Sequence, residues 1–424
     1  MTGYSGIARA LRARNFRLFV AGQGFSLVGT WMQQIAMSWL VYRLSGSAML
    51  LGVVGFVNQI PSLFLTPLAG VLADRWDRRR LLIITQCLAM LQAVVLAAVV
   101  LTGLVQIWHV VWLSAILGII NAFDIPIRQS FVVEMVDKRE DLGNAIALNA
   151  SLFNGARLIG PSIAGIVLAA FGEGICFLLN AVSFCGVVVA LMAMRLNPRP
   201  HRAEHRHVLH ELREGISYSF GFSPIRKILL LVALVALTGM SYAVLMPVFA
   251  REILHGDSRT FGFLMASAGC GAFLSTLFLA SRGTVLGLGN IISRSVLLFG
   301  LGLAVFAFSS SLLLSCCALT LVGFGGTAMM ASCNTILQTI VDEDKRGRVM
   351  SFFSVAFSGM LPFGSLLAGW LAGFIGPSQT LLLGSLGCLL GALLFIRHLP
   401  QIRDHVRPIY IRLGILPDPA PDMM

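Results

Sequence analysis

Of the 19 acidic residues in this 424-residue chain, nearly all sit in polar stretches. One does not. Asp124 falls inside a long apolar run, in Asn121-Ala-Phe-Asp124-Ile-Pro126-Ile-Arg128-Gln129. A carboxylate withdrawn from water is a candidate to take up and release a proton. Arg128 lies at i+4, one helical turn away, so a structural ion pair explains the same carboxylate. Both readings stand, and Pro126 loosens this helix by removing a backbone donor. A second isolated charge, Arg157, lies three residues after Asn154 and just before Gly160-Pro161 and Gly165. Helical rise puts it about 20 Å into its run. An arginine at that depth costs about 3 kcal/mol on insertion scales, so it must face protein or water. It can bind an anionic substrate group, act on Asp124, or serve structure alone.

A third feature is a knot of charge. Gly70-Val-Leu-Ala-Asp74-Arg75-Trp-Asp77-Arg78-Arg79-Arg80 packs six charges into its last seven residues, between two apolar runs. Such a knot cannot lie in hydrocarbon, so the chain surfaces there. Asp74 can pair with a neighbouring helix end and lock a gate. The alternative is that the arginines only anchor topology.

The elements that position these residues are membrane helices. The chain is 57% hydrophobic and 12% charged, where soluble domains carry about 25% charge. Its apolar runs reach the ~20 residues that a crossing helix needs. They predict twelve spans at roughly 16–41, 51–73, 81–103, 107–127, 143–170, 175–195, 226–249, 261–281, 293–309, 312–339, 347–374 and 379–397. The net charge of +12 would suggest nucleic acid in a soluble protein, but its placement argues otherwise. Arg9, Arg12, Arg14 and Arg17 lead into the first span, and later clusters fall in every second loop. Lys and Arg are retained on the cytoplasmic side, so both termini are expected inside. The N-terminus has no cleavable signal pattern, and its first span is expected to stay as an anchor.

The two halves repeat. Leu44-x-Gly46 followed by Gly52 returns as Leu254-x-Gly256 followed by Gly262, a shift of 210, and Val41-Tyr42-Arg43 has a counterpart in Phe249-Ala250-Arg251. The predicted fold is an all-α integral membrane protein of two pseudo-symmetric six-helix bundles, 1–195 and 226–400. They are joined by a cytoplasmic linker, 196–225, and followed by a tail, 401–424. A parallel six-plus-six repeat is the architecture of alternating-access carriers, with the substrate between the halves. Glu204 to Phe222 has the spacing of an amphipathic surface helix. The linker's His201, His205, His207 and His210 read as part of a solvated basic face rather than a metal site. The eight cysteines fall in apolar runs without a C-x-x-C pair, which gives no disulfide or metal framework. No Walker motif or nucleophile elbow appears. No enzyme activity and no cofactor are expected.

The G-x-x-x-D-R-x-x-R-R spacing from Gly70 resembles the loop signature of the major facilitator superfamily. Arg14-Asn15-Phe16-Arg17, Gly29-Thr30-Trp31-Met32-Gln33, Asp124-x-Pro126-x-Arg128-Gln129, Asn144-Ala-Ile-Ala-Leu-Asn149 and Phe153-Asn154-x-Ala-Arg157 together resemble one bacterial branch of it, the enterobactin-exporter-like and macrolide-efflux-like facilitators (transmembrane secretion effectors). The specific matches lie between about 14 and 185. Gly160-Pro161-x-x-Ala-Gly165 is similar to the branch's exporter motif, although small residues also simply permit close packing.

The resemblance implies a proton-driven exporter in the bacterial inner membrane, with Gly70, Asp74, Arg75, Arg78 and Arg79 as its gate. It also implies a cavity lined by spans 1, 4, 7 and 10. The cavity candidates are Gln23, Gln34, Asn121, Asn154, Tyr242 and Asn334. Such a mixed apolar and neutral-polar lining suits bulky amphipathic molecules: drugs, macrolides or siderophores. Asp124, Arg128 and Arg157 are the coupling candidates. Expected partners are a small-molecule substrate, protons and the lipid bilayer, with no nucleic acid, and the expected state is a monomer. The alternative is a lipid or lysophospholipid translocator of the same fold.

Overall fold

In the computed structural model, residues 9–136, 138–195, 218, 220–282 and 284–417 are described, apart from the side chains of Pro67, Val71, Asp74, Arg139 and Asp344. The apolar runs are helical, because lipid offers no other partner for backbone amides. In chain order the helices are α1 (Arg14–Ser45), α2 (Ala48–Arg75), α3 (Arg78–Leu101), α4 (Ile107–Phe131) and α5 (Leu142–Ala193). They continue as α6 (Ser223–Ile253), α7 (Ser258–Ala280), α8 (Leu288–Phe308), α9 (Leu312–Ile340), α10 (Lys345–Ile375) and α11 (Pro377–Arg412). Among the described residues ten helices, all but α1, are long and apolar enough to cross a membrane. The linker segment with its histidines lies outside the described residues up to 217.

Local chemistry ends these helices. Ser47 caps α2 by accepting from the Leu50 amide, Asp77 caps α3 through the Arg80 amide, and Asp257 caps α7 through the Arg259 and Thr260 amides. α5 is a run of 52 residues broken at Gly172, whose φ of 78° favours glycine. Sequence reading placed a loop at 171–174, and the structure has this single break instead. The two arms return to the same end of the molecule. Arg9 pairs with Asp141 at 2.7 Å before the first arm, and Asn15 donates to the Arg195 carbonyl at 2.8 Å after the second. We call this the basic end, and the opposite one the far end.

The helices pack as two groups. In the first, α1 and α3 run along α5, while α2 and α3 pack on α4. In the second, α9 packs on α7 and α8, and α11 packs on α6 and α8. The groups meet chiefly where α2 meets α10 and where α5 meets α7. Lipid is as apolar as leucine, so small residues rather than bulk hydrophobicity bring such helices together. A Cβ on Gly52 would stand 2.7 Å from the Ser365 carbonyl oxygen and 3.0 Å from Gly369 Cα. On Gly262 it would stand 2.7 Å from Gly165 Cα. Gly52 and Gly262 are the residues related by the sequence shift of 210, so the repeat places two equivalent crossings near the far end. The outward faces keep their large apolar side chains, among them Phe25, Phe308, Leu313 and Phe374, exposed to the surroundings.

Candidate functional site

Between the two groups lies a cavity of about 310 Å³. α1, α2 and α4 supply one wall through Thr30, Gln34, Ser38, Asn58, Gln59, Ser114 and Asn121. α6, α7 and α10 supply the other through Met240, Ala243, Val244, Phe261, Met265, Leu361 and Ser365. The first wall mixes these polar groups and Gln33 with Ile35, Met37, Leu51, Val54 and Leu117, while the other is almost wholly apolar. Asn58 is oriented by donating to the Ser114 carbonyl at 3.1 Å. Gln59 reaches across to the Ser365 hydroxyl at 3.4 Å.

Behind the polar wall is a buried amide network. Asn180 donates to Gln33 Oε1 at 2.7 Å, and Gln33 Nε2 donates to Gln92 Oε1 at 3.0 Å. It ties α1, α3 and the second arm of α5 together. Unpaired, each such group would cost roughly 1–3 kcal/mol. Gln92 and Asn180 were not among the sequence candidates. An uncharged amide inside an apolar run is the signal that marks them.

Asp124 is buried, 5% exposed. The Thr85 hydroxyl and the Gln86 amide both donate to its Oδ1, at 2.7 and 2.8 Å. Arg128 Nε stands 3.7 Å from its Oδ2. The ion pair expected from i+4 spacing is therefore present, with two neutral donors from α3 added. All of these partners belong to the first group. Arg157 stands elsewhere. Its guanidinium lies over the Trp31 ring, 5.9 Å from the centroid, and beside the Tyr242 hydroxyl of α6. The structure therefore does not bring Arg157 to Asp124.

The other candidates divide. Gln34 and Asn121 line the cavity. Tyr242 is buried next to it and stacks edge-on against Phe299. Gln23 is buried, with an Oε1 that has no partner in the structure. Asn154 donates to the Ala150 carbonyl of its own helix at 3.0 Å, and Asn334 accepts from Gln338. At the basic end, Arg78 bonds Glu134 Oε1 at 2.8 Å and the Ala73 carbonyl at 3.0 Å. Arg79 binds the Leu191 and Met192 carbonyls, both at 2.7 Å. A cation at a helix C-terminus meets the negative end of the helix dipole there. Arg75 is exposed, and a Cβ on Gly70 would touch nothing within 4 Å. The Asp74 side chain lies outside the described residues. In the second group, Arg412 pairs with Asp342 and Arg403 donates to Asn290 at this end.

The far end is different, because its ties cross between the groups. The Tyr42 hydroxyl bonds the Glu252 carboxylate, and Trp39 stacks on Phe261 with centroids 6.1 Å apart. Beside them Arg43 pairs with the buried Glu173 at 2.6 Å. Sequence reading matched Tyr42 with Ala250. At the common shift of 210, Tyr42 corresponds instead to Glu252, the residue that it bonds. A pocket of about 230 Å³ opens there, with Tyr42, Ser47 and Glu252 in its lining. Among the described residues no cluster of three or more His, Cys, Asp or Glu is placed to hold a metal ion.

Two packed groups of membrane-length helices around a cavity, with a charge-bearing loop after the second helix, are consistent with the fold of major facilitator transporters. Solved structures of that class share the fold. A transporter of the POT family in complex with a thioalcohol-conjugated peptide superposes with a TM-score of 0.73 at 11% identity, over 92% of this chain and 96% of that one. The transmembrane secretion effector family matches residues 5–408, and the chain belongs to that family. It is similar to the staphyloferrin A transporter of Staphylococcus aureus, at 28% identity over 86% of this chain and 91% of the relative. It is also similar to the multidrug efflux pump Tap of Mycolicibacterium fortuitum, at 27% identity over 91% and 93%. The chain is thus a multi-pass membrane transporter with efflux carriers among its relatives, and not an enzyme.

Proposed function

We propose that this protein is a proton-coupled exporter of amphipathic small molecules, working by alternating access in a bacterial inner membrane. Twelve spans arranged six and six fit the helices when α1 and the two arms of α5 each count as a crossing. The halves are then 1–195 and 226–400, and the arginine-rich basic end, with both termini, lies in the cytoplasm. The observation that carries this reading is the position of the inter-half ties. Gly52 against Gly369, Gly262 against Gly165, and Tyr42 against Glu252 all fall toward the far end. At the basic end, Arg9 with Asp141, Arg78 with Glu134 and Arg412 with Asp342 each join residues of one half. That pattern is expected of a carrier closed outward and open inward, ready to load from the cytoplasm. The amide-lined wall facing an apolar wall supports an amphipathic cargo.

In this mechanism Gly70, Asp74, Arg75, Arg78 and Arg79 gate the inner end and close it when the halves rock. Asp124 carries the proton, with Arg128 one turn away as its charge partner. The names of the relatives favour small-molecule export over lipid flipping.

The test is gradient-driven efflux of a fluorescent dye from proteoliposomes that hold the full chain. Efflux under an imposed proton gradient, lost in Asp124→Asn, is the expected result. Gradient-independent movement of every dye, together with scrambling of labelled phospholipids, would replace the exporter by a lipid translocator.

A further inference from the structure

Charges inside this molecule usually have a counter-charge. Arg128 has Asp124 at 3.7 Å, and Arg43 has Glu173 at 2.6 Å. Arg157 differs from both. Among the described residues no carboxylate pairs with it, although it is only partly buried and sits deep in its helix. Its neighbours are aromatic and neutral: the Trp31 ring 5.9 Å from the guanidinium, and the Tyr242 hydroxyl. Phe153, one turn earlier on α5, meets the Trp31 ring edge-on with centroids 5.8 Å apart. Trp31 is itself held close to α5, since a Cβ on Gly160 would fall 2.6 Å from the Trp31 Cβ. The backbone is fixed as well, because Gly269 of α7 is packed so that its Cβ would stand 2.6 Å from the Arg157 carbonyl oxygen.

A guanidinium stacked on an aromatic face keeps its in-plane donors free. Those donors match a carboxylate in a bidentate geometry. The neighbouring rings offer a platform for the apolar body to which the carboxylate is attached. The site also lies where α1 and α5 of one half meet α6 and α7 of the other.

We infer that Arg157, Trp31, Phe153 and Tyr242 form an anion-binding subsite that selects amphipathic carboxylates as cargo. This rests on the exporter reading above and names its substrate class. An incoming carboxylate takes the place of the Tyr242 hydroxyl at the guanidinium. It thereby loosens one contact between the halves as the cargo loads.

The experiment is equilibrium binding to the purified full chain in detergent, read by fluorescence anisotropy. The probes are rhodamine B, a zwitterion with a free carboxylate, and its ethyl ester, which keeps the xanthylium cation but masks the carboxylate. Wild type should prefer the free acid. Arg157→Gln should weaken rhodamine B roughly 10- to 100-fold, the span of one or two charge-assisted bonds, and leave the ester within about twofold. Arg157→Lys should recover part of the loss, because it restores charge without the fork. Equal weakening of both dyes, or no weakening of the acid, overturns the inference. A second measurement needs no variant. Benzoate should displace rhodamine B from wild type and benzamide should not; equal displacement, or displacement by phosphatidylglycerol alone, overturns it too. Because binding is read without a gradient, selective binding without gradient-driven efflux would count against export and leave the subsite standing. Gradient-driven efflux without acid selectivity would do the reverse.

Discussion

The two halves share an architecture but hold it together by different means. The first is tied by polar side chains: the Gln33, Gln92 and Asn180 network, Asp124 among Thr85, Gln86 and Arg128, and Arg43 with Glu173. The second relies more on backbone approach, which the first also uses at Gly118, where a Cβ would stand 2.2 Å from the Asn58 carbonyl oxygen. Cβ atoms on Gly271 and Gly323 would each fall 1.9 Å from a carbonyl oxygen, of Thr320 and Ala268 respectively. Its in-span polar contacts are modest, such as Ser385 donating to the Gly300 carbonyl at 2.8 Å. The close backbone approach at Gly271 and Gly323 leaves no room for a larger side chain at these crossings. The hydrogen-bonded carboxylate of Asp124 and the guanidinium of Arg157 are the groups through which the proposed proton and cargo would act. On the alternating-access reading proposed above, the repeat supplies the two bodies that rock, and the candidate coupling residues lie on the first of them.

The largest effect that could break this contrast is steric. Gly262→Leu forces a branched side chain into the crossing with Gly165, where no space exists. Overpacking of this kind costs about 1–3 kcal/mol or more. Here the cost falls on the outward-closed state, so dye efflux should drop to background while the protein still purifies as a monodisperse species. Efflux near the wild-type rate would mean that the crossing is not required.

Next comes Gln33→Leu in the polar half, which strands Gln92 and Asn180. A loss of roughly 1–3 kcal/mol for each stranded group should appear as a clear fall in the melting temperature in detergent. Ser385→Ala in the packed half should move it by much less. Equal shifts would erase the difference between the halves.

A smaller effect is expected at the far-end latch. Tyr42→Phe removes a hydroxyl bonded to a carboxylate, a contact of the class worth about 1.5–3 kcal/mol, part of which water recovers at this site. The variant should label faster with a membrane-impermeant thiol reagent at a cysteine placed at Met49. Unchanged labelling would mean that the bond does not hold the end shut. The smallest effect belongs to Arg75→Ala. That side chain is exposed, so stability should change by no more than about 0.5 kcal/mol, and any loss of efflux would then report on gating rather than folding.

Much of this was legible in the chain. The apolar runs gave the helices, and even the narrow division at Ser309-Ser310-Ser311 holds, since α8 ends at Phe308 and α9 starts at Leu312. The i+4 pair of Asp124 and Arg128 follows from helical geometry alone. Local pattern could not say that Thr85 and Gln86 complete the carboxylate's shell, because those donors come from another helix. Nor could it separate Arg157 from Asp124, whose relation depends on how helices rotate against each other. The Tyr42 to Glu252 bond was half visible: the shift of 210 names the pair, but only the packing of the halves brings the atoms together. Glu173 reads as a loop acid, because nothing in its neighbours reveals that its side chain is buried against Arg43 of another helix.

Placing the responsive chemistry on one half makes a claim about protons that transport rates test only indirectly. The direct measurement is proton release from the purified protein in weakly buffered detergent when a transported dye is added. Wild type should release protons on binding, Asp124→Asn should release none while still binding the dye, and no acid of the second half should matter. Proton release undiminished in Asp124→Asn would contradict the account and move the coupling group away from α4.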